Sequence, residues 1–177
     1  RWATHGGVTD TNAHPHAYGR VTLVHNGIIE NYQELAAKYG FGDKLSSQTD
    51  TEVVAALLDY YYEGDPGVAG FLTVWELKGT FALAVLFEDI PDTIYAIRNV
   101  SPIIAGVGKD AGESFLASDV TALTDYVEQY FVLPEYTLAA LSEDGITLTN
   151  DKGEIIEPKM LRADWKIGST GTCGYDY

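Results

Sequence analysis

The chain has 177 residues, 46% of them hydrophobic and 21% charged, a size and balance that fit one globular domain with its own core rather than a disordered segment. Its 11 Lys and Arg against 26 Asp and Glu leave a net charge of −15, which argues against nucleic acid as a partner, because phosphate binding depends on basic patches that release counterions. A single cysteine, Cys173, rules out an intrachain disulfide and suits a reducing, cytoplasmic setting. No apolar run is long enough to span a bilayer, so neither membrane anchor nor leader is expected.

In chain order, residues 1–5 form a short semi-apolar piece closed by Gly6-Gly7, and Thr9-Asp10-Thr11-Asn12 is turn chemistry. Pro15 biases His14 toward extended backbone. The β-branched run 21–25 predicts a buried strand, Asn26-Gly27 a turn, and the spacing of Ile28, Ile29, Tyr32, Leu35, Ala36 and Tyr39 a helix over 28–39 with Gly40 as its cap. Residues 40–47 read as a loop. Thr49-Asp50-Thr51-Glu52 opens a second helix closing near Gly64, and 66–77 predicts a third, with Pro66 in its first turn.

Beyond Gly79 the pattern becomes that of hairpins and meanders, with strands predicted at 80–87, 93–97, 102–107 and 113–117. Ser118-Asp119 caps a short helix through Leu123. Strands return at 130–133, 137–141, 146–149 and 154–156, the last two joined by the turn Asn150-Asp151-Lys152-Gly153. Helices early and strands late point to an α+β layered domain over residues 1–167. Residues 168–177 are linker-like.

The four histidines, His5, His14, His16 and His25, lie on separate segments apart from the His14-Pro15-His16 pair, too sparse for a zinc site, so no metal is expected. No cofactor motif appears either: Gly106-Val107-Gly108-Lys109 fails both phosphate-loop spacings, and there is no nucleophile-elbow serine. Three polar clusters remain. Arg1 can clamp a carboxylate through two parallel hydrogen bonds, and Asp50 can hold an ammonium or cap its helix. Asn26 with the Gly27 N–H can form an oxyanion hole or simply make an Asn-Gly turn. Together they describe a receptor for an α-amino acid.

The words Arg1-Trp2-Ala3-Thr4-His5-Gly6, Asn12-Ala13-His14-Pro15-His16, His25-Asn26-Gly27-Ile28-Ile29-Glu30-Asn31 and Thr49-Asp50-Thr51-Glu52 resemble, in order and spacing, the glutaminase domain of the isomerising glutamine–fructose-6-phosphate aminotransferases, members of the class II amidotransferases. Weaker similarity runs through residues 79–86, Ser101-Pro102 and Leu116-Ala117-Ser118-Asp119. The resemblance implies a four-layer αββα sandwich of the N-terminal-nucleophile hydrolase type. It implies that Arg1 binds the carboxylate of L-glutamine, Asp50 its ammonium, and Asn26 with Gly27 the oxyanion, while Trp2, Thr4 and His5 belong to the substrate pocket and His25 supports the oxyanion segment. Ammonia would pass to fructose 6-phosphate in a separate isomerase domain.

In that family a cysteine at the start of the mature chain is the nucleophile and its own amine the base. Here the Arg-Trp-Ala-Thr-His-Gly word is residue 1, so the expectation is a domain incomplete at its N-terminus and inactive alone. Cys173, with no free amine, cannot substitute. The alternatives are a non-catalytic module that binds glutamine or glutamate, and an interaction domain, either a homodimer or one whose sheet edge is completed by strands of a partner chain.

Overall fold

The computed structural model describes residues 6–110 and 112–163. Two antiparallel sheets packed face to face, with three helices against the larger one, form an α+β fold that has the sheet pair and one helix layer of the αββα arrangement among the described residues. A 3-10 turn at Asp10–Asn12 leads into β1 (His16–Tyr18) and β2 (Val21–Ile29). Helices α1 (Tyr32–Tyr39), α2 (Asp50–Tyr61) and α3 (Pro66–Glu76) follow. The remainder is strand: β3 (Gly79–Phe87), β4 (Ile90–Asn99), β5 (Ile104–Gly108), β6 (Ser114–Ala117), β7 (Val127–Val132), β8 (Leu138–Ser142), β9 (Gly145–Thr149) and β10 (Leu161–Arg162). The larger sheet has the order β1-β2-β3-β4-β8-β9, the smaller β10-β7-β5-β6.

Period-two alternation decides which side of the larger sheet faces what. Val21, Leu23, Ile29, Leu83, Val85 and Phe87 point to one face, where they pack with Val54, Leu57 and Leu58 of α2 and Phe71 and Val74 of α3. The opposite face carries small side chains, Ala82, Ala96 and Ala139, against Ala105 and Phe131 of the smaller sheet and Leu133 just beyond β7. Alanines at these positions let the two sheets approach closely over the β4–β8 part of the interface. Ile104 and Val127, on the outer face of the smaller sheet, are covered with Leu123 by the 3-10 turn at Val120–Ala122, which stands where 118–123 predicts a short helix.

The helices end where their local chemistry says they should. Gly40 adopts a left-handed conformation (φ 67°) and donates to Ala36 O and Ala37 O, closing α1. Thr49 and Asp65 cap α2 and α3 by accepting Glu52 N and Val68 N. The C-terminal ends of the helix layer meet in one polar knot. Glu76 accepts from Tyr39 Oη (2.8 Å), Tyr61 Oη (3.1 Å) and Lys38 Nζ (2.8 Å), and the two tyrosine oxygens are 2.6 Å apart.

Three expectations are corrected. Asn26-Gly27 is not a turn: pairing with β3 runs unbroken from Val21↔Phe87 to Ile29↔Gly79, and α1 starts at Tyr32, not Ile28. Ile29 is fully buried toward the helices while Ile28 is 42% exposed, the alternation of a strand rather than the stripe of a helix. Residues 154–156 contribute only one bridge, Thr149↔Ile155, because Ile155 is exposed and gains nothing by extending the ladder. Strands β1 and β10 are too short to carry a legible pattern.

Candidate functional site

Gly27 is the pivot of the site. Its φ of 138° is closed to other residues, and a Cβ there would sit 2.1 Å from Thr80 O. The facing strand answers in kind, since a Cβ on Gly79 (φ 118°) would sit 2.1 Å from Ile28 O. Two glycines thus let β2 and β3 close at the point where β2 carries its polar residues.

Those residues diverge to the two faces. His25 points to the helix side, buried, and Asn26 to the opposite side, exposed. The carbonyl of Thr80, which can only accept, lies 3.4 Å from His25 Nε2, so the hydrogen-bond network puts the proton there. His25 Nδ1 lies 3.2 Å from Thr51 Oγ1 and in the neutral ring accepts its hydroxyl. The imidazole therefore ties β2 and β3 to the first turn of α2.

Asp50 is the first residue of α2, with Thr49 as its cap, so its carboxylate is not used to cap the helix. Instead Oδ2 accepts the backbone N–H of Ile29 at 2.8 Å, and the residue is 1% exposed. A carboxylate in the first turn is also favoured by the helix dipole. The loop ahead of it is held by Glu52, whose two oxygens accept Ser46 N (2.7 Å) and Ser47 N (2.5 Å). His16, one of the pair weighed as metal ligands, bonds Thr49 Oγ1 at 3.1 Å.

His25, Asn26, Gly27 and Asp50 nevertheless all border one cleft of about 780 Å³. Ala13, His14, Ile28, Thr51, Thr80 and Ser118 complete its wall. A second cavity of about 270 Å³ adjoins it between the sheets, shares His14, His25, Asn26 and Ser118, and is otherwise lined by apolar residues such as Val24, Ala82 and Leu116. The predicted Arg1, Trp2, Thr4, His5 and Cys173, and the tail 168–177, lie outside the described residues. Thr51, Thr80, His14 and Ser118 were not singled out as site residues by their sequence. The signal was present all the same, since Thr51 and His14 fall within words that carry the resemblance, and Thr80 and Ser118 within the weaker similarity. Among the described residues no three His, Cys, Asp or Glu side chains are grouped to hold a metal ion, and no helix is long and apolar enough to cross a membrane.

The paired antiparallel sheets, with helices against the larger one and a polar cleft at the β2–α2 junction, define the fold of the N-terminal-nucleophile type of glutamine amidotransferase. The solved structure of glutamine phosphoribosylpyrophosphate amidotransferase from B. subtilis superimposes with a TM-score of 0.66 over 84% of this chain and 34% of that one, at 18% identity. A glutamine aminotransferase class-II domain protein from Silicibacter pomeroyi gives 0.57 over 79% and 70%, also at 18% identity. The glutamine amidotransferase domain profile matches residues 8–125, and the chain belongs to that family. Among its relatives are the isomerising glutamine–fructose-6-phosphate aminotransferases of Symbiobacterium thermophilum (46% identical over 99% of this chain), Streptomyces coelicolor (42% over 99%) and Aquifex aeolicus (41% over 100%). The chain spans 29–30% of the length of these relatives.

Proposed function

We propose that this chain provides the glutamine-recognition and oxyanion groups of the glutaminase half of glucosamine 6-phosphate synthesis. In this reading L-glutamine is bound, its side-chain amide is cleaved, and the ammonia is transferred to fructose 6-phosphate on an isomerase domain. The observation that supports the reading is that Asn26, Gly27 and the buried Asp50 line one cleft. Asp50 supplies the counter-charge for the substrate ammonium, and the low local dielectric strengthens that attraction. N–H groups alternate between the edges of an antiparallel strand, so the Gly27 N–H shares the edge from which Ile29 N–H reaches Asp50. In this reading it and the Asn26 amide meet the oxygen that becomes negative when the substrate carbonyl turns tetrahedral. Arg1 is assigned the substrate carboxylate, and Trp2, Thr4 and His5 the neighbouring wall.

The relatives' names support the assignment to glucosamine 6-phosphate synthesis, and the single cysteine suits a cytoplasmic setting. Titration of the purified chain with L-glutamine and L-glutamate in a calorimeter tests the recognition step. Saturable binding of the L-isomers over D-glutamine is expected, and heat no greater than that of dilution for all of them would reject the reading.

A further inference from the structure

The loop that delivers Asp50 satisfies most of its own donors. Ser46 N and Ser47 N go to Glu52, and Thr49 N goes to Ser47 Oγ at 3.3 Å. Gln48 N–H instead leaves the loop and donates to Asn12 Oδ1 at 3.0 Å. Asn12, 5% exposed at the end of its 3-10 turn, uses its other amide atom as well: Nδ2 donates to Gly7 O at 2.9 Å. The two bonds fix the orientation of the amide, since only Nδ2 can donate and only Oδ1 can accept. Gly6 packs into the same junction in a left-handed conformation (φ 74°), where a Cβ would lie 2.6 Å from Asn12 Nδ2 and 3.1 Å from Gln48 Cβ.

We propose that Asn12 is a positioning residue for glutamine recognition, holding the Gly6–Gly7 segment and the loop that delivers Asp50 at one fixed spacing. The inference rests on the function proposed above. Gly6 continues the Arg1–His5 word to which the substrate carboxylate is assigned, and Gln48 lies two residues before Asp50, to which the ammonium is assigned. A single buried amide therefore sets the distance between the segments that carry the two charged ends of the amino-acid ligand. An aspartate at this position would keep the acceptor for Gln48 N–H but set a carboxylate against the Gly7 carbonyl. An alanine would leave both backbone groups without Asn12.

The test compares the full chain with Asn12→Ala, Asn12→Asp and the remote Tyr62→Phe, using calorimetric titration with L-glutamate and amide hydrogen exchange. Asn12→Ala is expected to weaken L-glutamate binding by about tenfold, on the scale of one lost buried hydrogen bond, and to speed exchange at Gln48. Asn12→Asp is expected to keep Gln48 protected yet bind more weakly, because the link to Gly7 is broken. Tyr62→Phe is expected to lose stability with affinity unchanged, which separates positioning from general destabilisation. Wild-type affinity in folded Asn12→Ala, or unchanged exchange at Gln48, overturns the proposal. If the wild-type chain binds neither L-glutamate nor L-glutamine, the functional reading fails, and the tether itself is then decided by the exchange at Gln48 alone.

Discussion

Asp50 Oδ2 lies 2.8 Å from the amide nitrogen of Ile29, so the carboxylate assigned to the substrate ammonium and the strand assigned to the oxyanion are joined by a direct bond. His25 reinforces the joint through Thr51, the residue after Asp50. In the proposed function, recognition and chemistry are thereby kept in register by the start of one helix.

Two substitutions separate the electrostatic role of Asp50 from its structural one. Asp50→Asn retains an oxygen for the Ile29 N–H and loses the charge. Asp50→Ala loses both and leaves a buried donor unpaired, at a cost of about 1–3 kcal/mol. Calorimetry is expected to find L-glutamine binding abolished in both, while urea denaturation finds a stability loss of that size only in the alanine variant. An asparagine variant that binds as wild type would remove Asp50 from the ammonium site.

Gly27 and Gly40 both have positive φ, yet they should respond very differently to alanine. At Gly40 nothing lies within 4 Å of the added Cβ, so only the left-handed backbone is strained, by about 1 kcal/mol. At Gly27 the Cβ meets Thr80 O at 2.1 Å, and β2 or β3 has to move. Gly27→Ala is expected to cost about 3 kcal/mol or more, read as a lower urea midpoint or a loss of soluble protein. Equal midpoints for the two variants would contradict the closeness of the two backbones.

That Thr49 and Asp65 are the caps of α2 and α3 is seen only in the structure, but the helices themselves were legible because their first-turn chemistry, Thr49-Asp50-Thr51-Glu52 in one and Pro66 in the other, agrees with their apolar spacing. Gly40 was legible as a cap for the same reason. The stretch 26–31 was not, because Ile28 and Ile29 fit helical spacing locally while pairing with β3, distant in sequence, decides their conformation. Asp50 stands out in the sequence by its neighbours, but its bond to Ile29 N is tertiary and leaves no local trace. The roles of Asn12 and Glu52 were hidden likewise: the first looks like turn chemistry, the second like a capping-box glutamate, and each reaches across to a loop whose fold spacing alone does not determine.

Tyr62 gives a prediction on the alkaline side. Its hydroxyl donates to Asp89 (2.8 and 2.9 Å to the two oxygens), and burial, followed by that hydrogen bond, pushes its pKa from 10.0 up to about 12. A raised value in the folded state means that the stabilisation is complete below pH 10 and is lost as pH rises through about 12. Tyr62→Phe should therefore be less stable than wild type at neutral pH, by about 1 kcal/mol, with the gap closing between pH 10 and 12. Urea midpoints across that range check it. A gap independent of pH would mean that folding leaves the acidity of the phenol unchanged.

Glu76 gives the matching prediction in acid. The Lys38 hydrogen bond is the largest cause of its lowered pKa, the Tyr39 hydroxyl the next, and burial opposes both. A carboxylate depressed below its ordinary 4.5 contributes stability that is complete above that pH and is lost as pH falls through the lower folded value. Glu76→Gln keeps an oxygen for the Tyr39 and Tyr61 hydroxyls but not the charge for Lys38. The variant should thus be the less stable protein at neutral pH, and the difference should shrink as pH falls below 4.5, where wild-type Glu76 also becomes neutral. Thermal unfolding of both proteins through the acid range measures this. A constant difference in midpoint would place the acid sensitivity in other carboxylates and reduce Glu76 to a neutral hydrogen-bond acceptor between α1, α2 and α3.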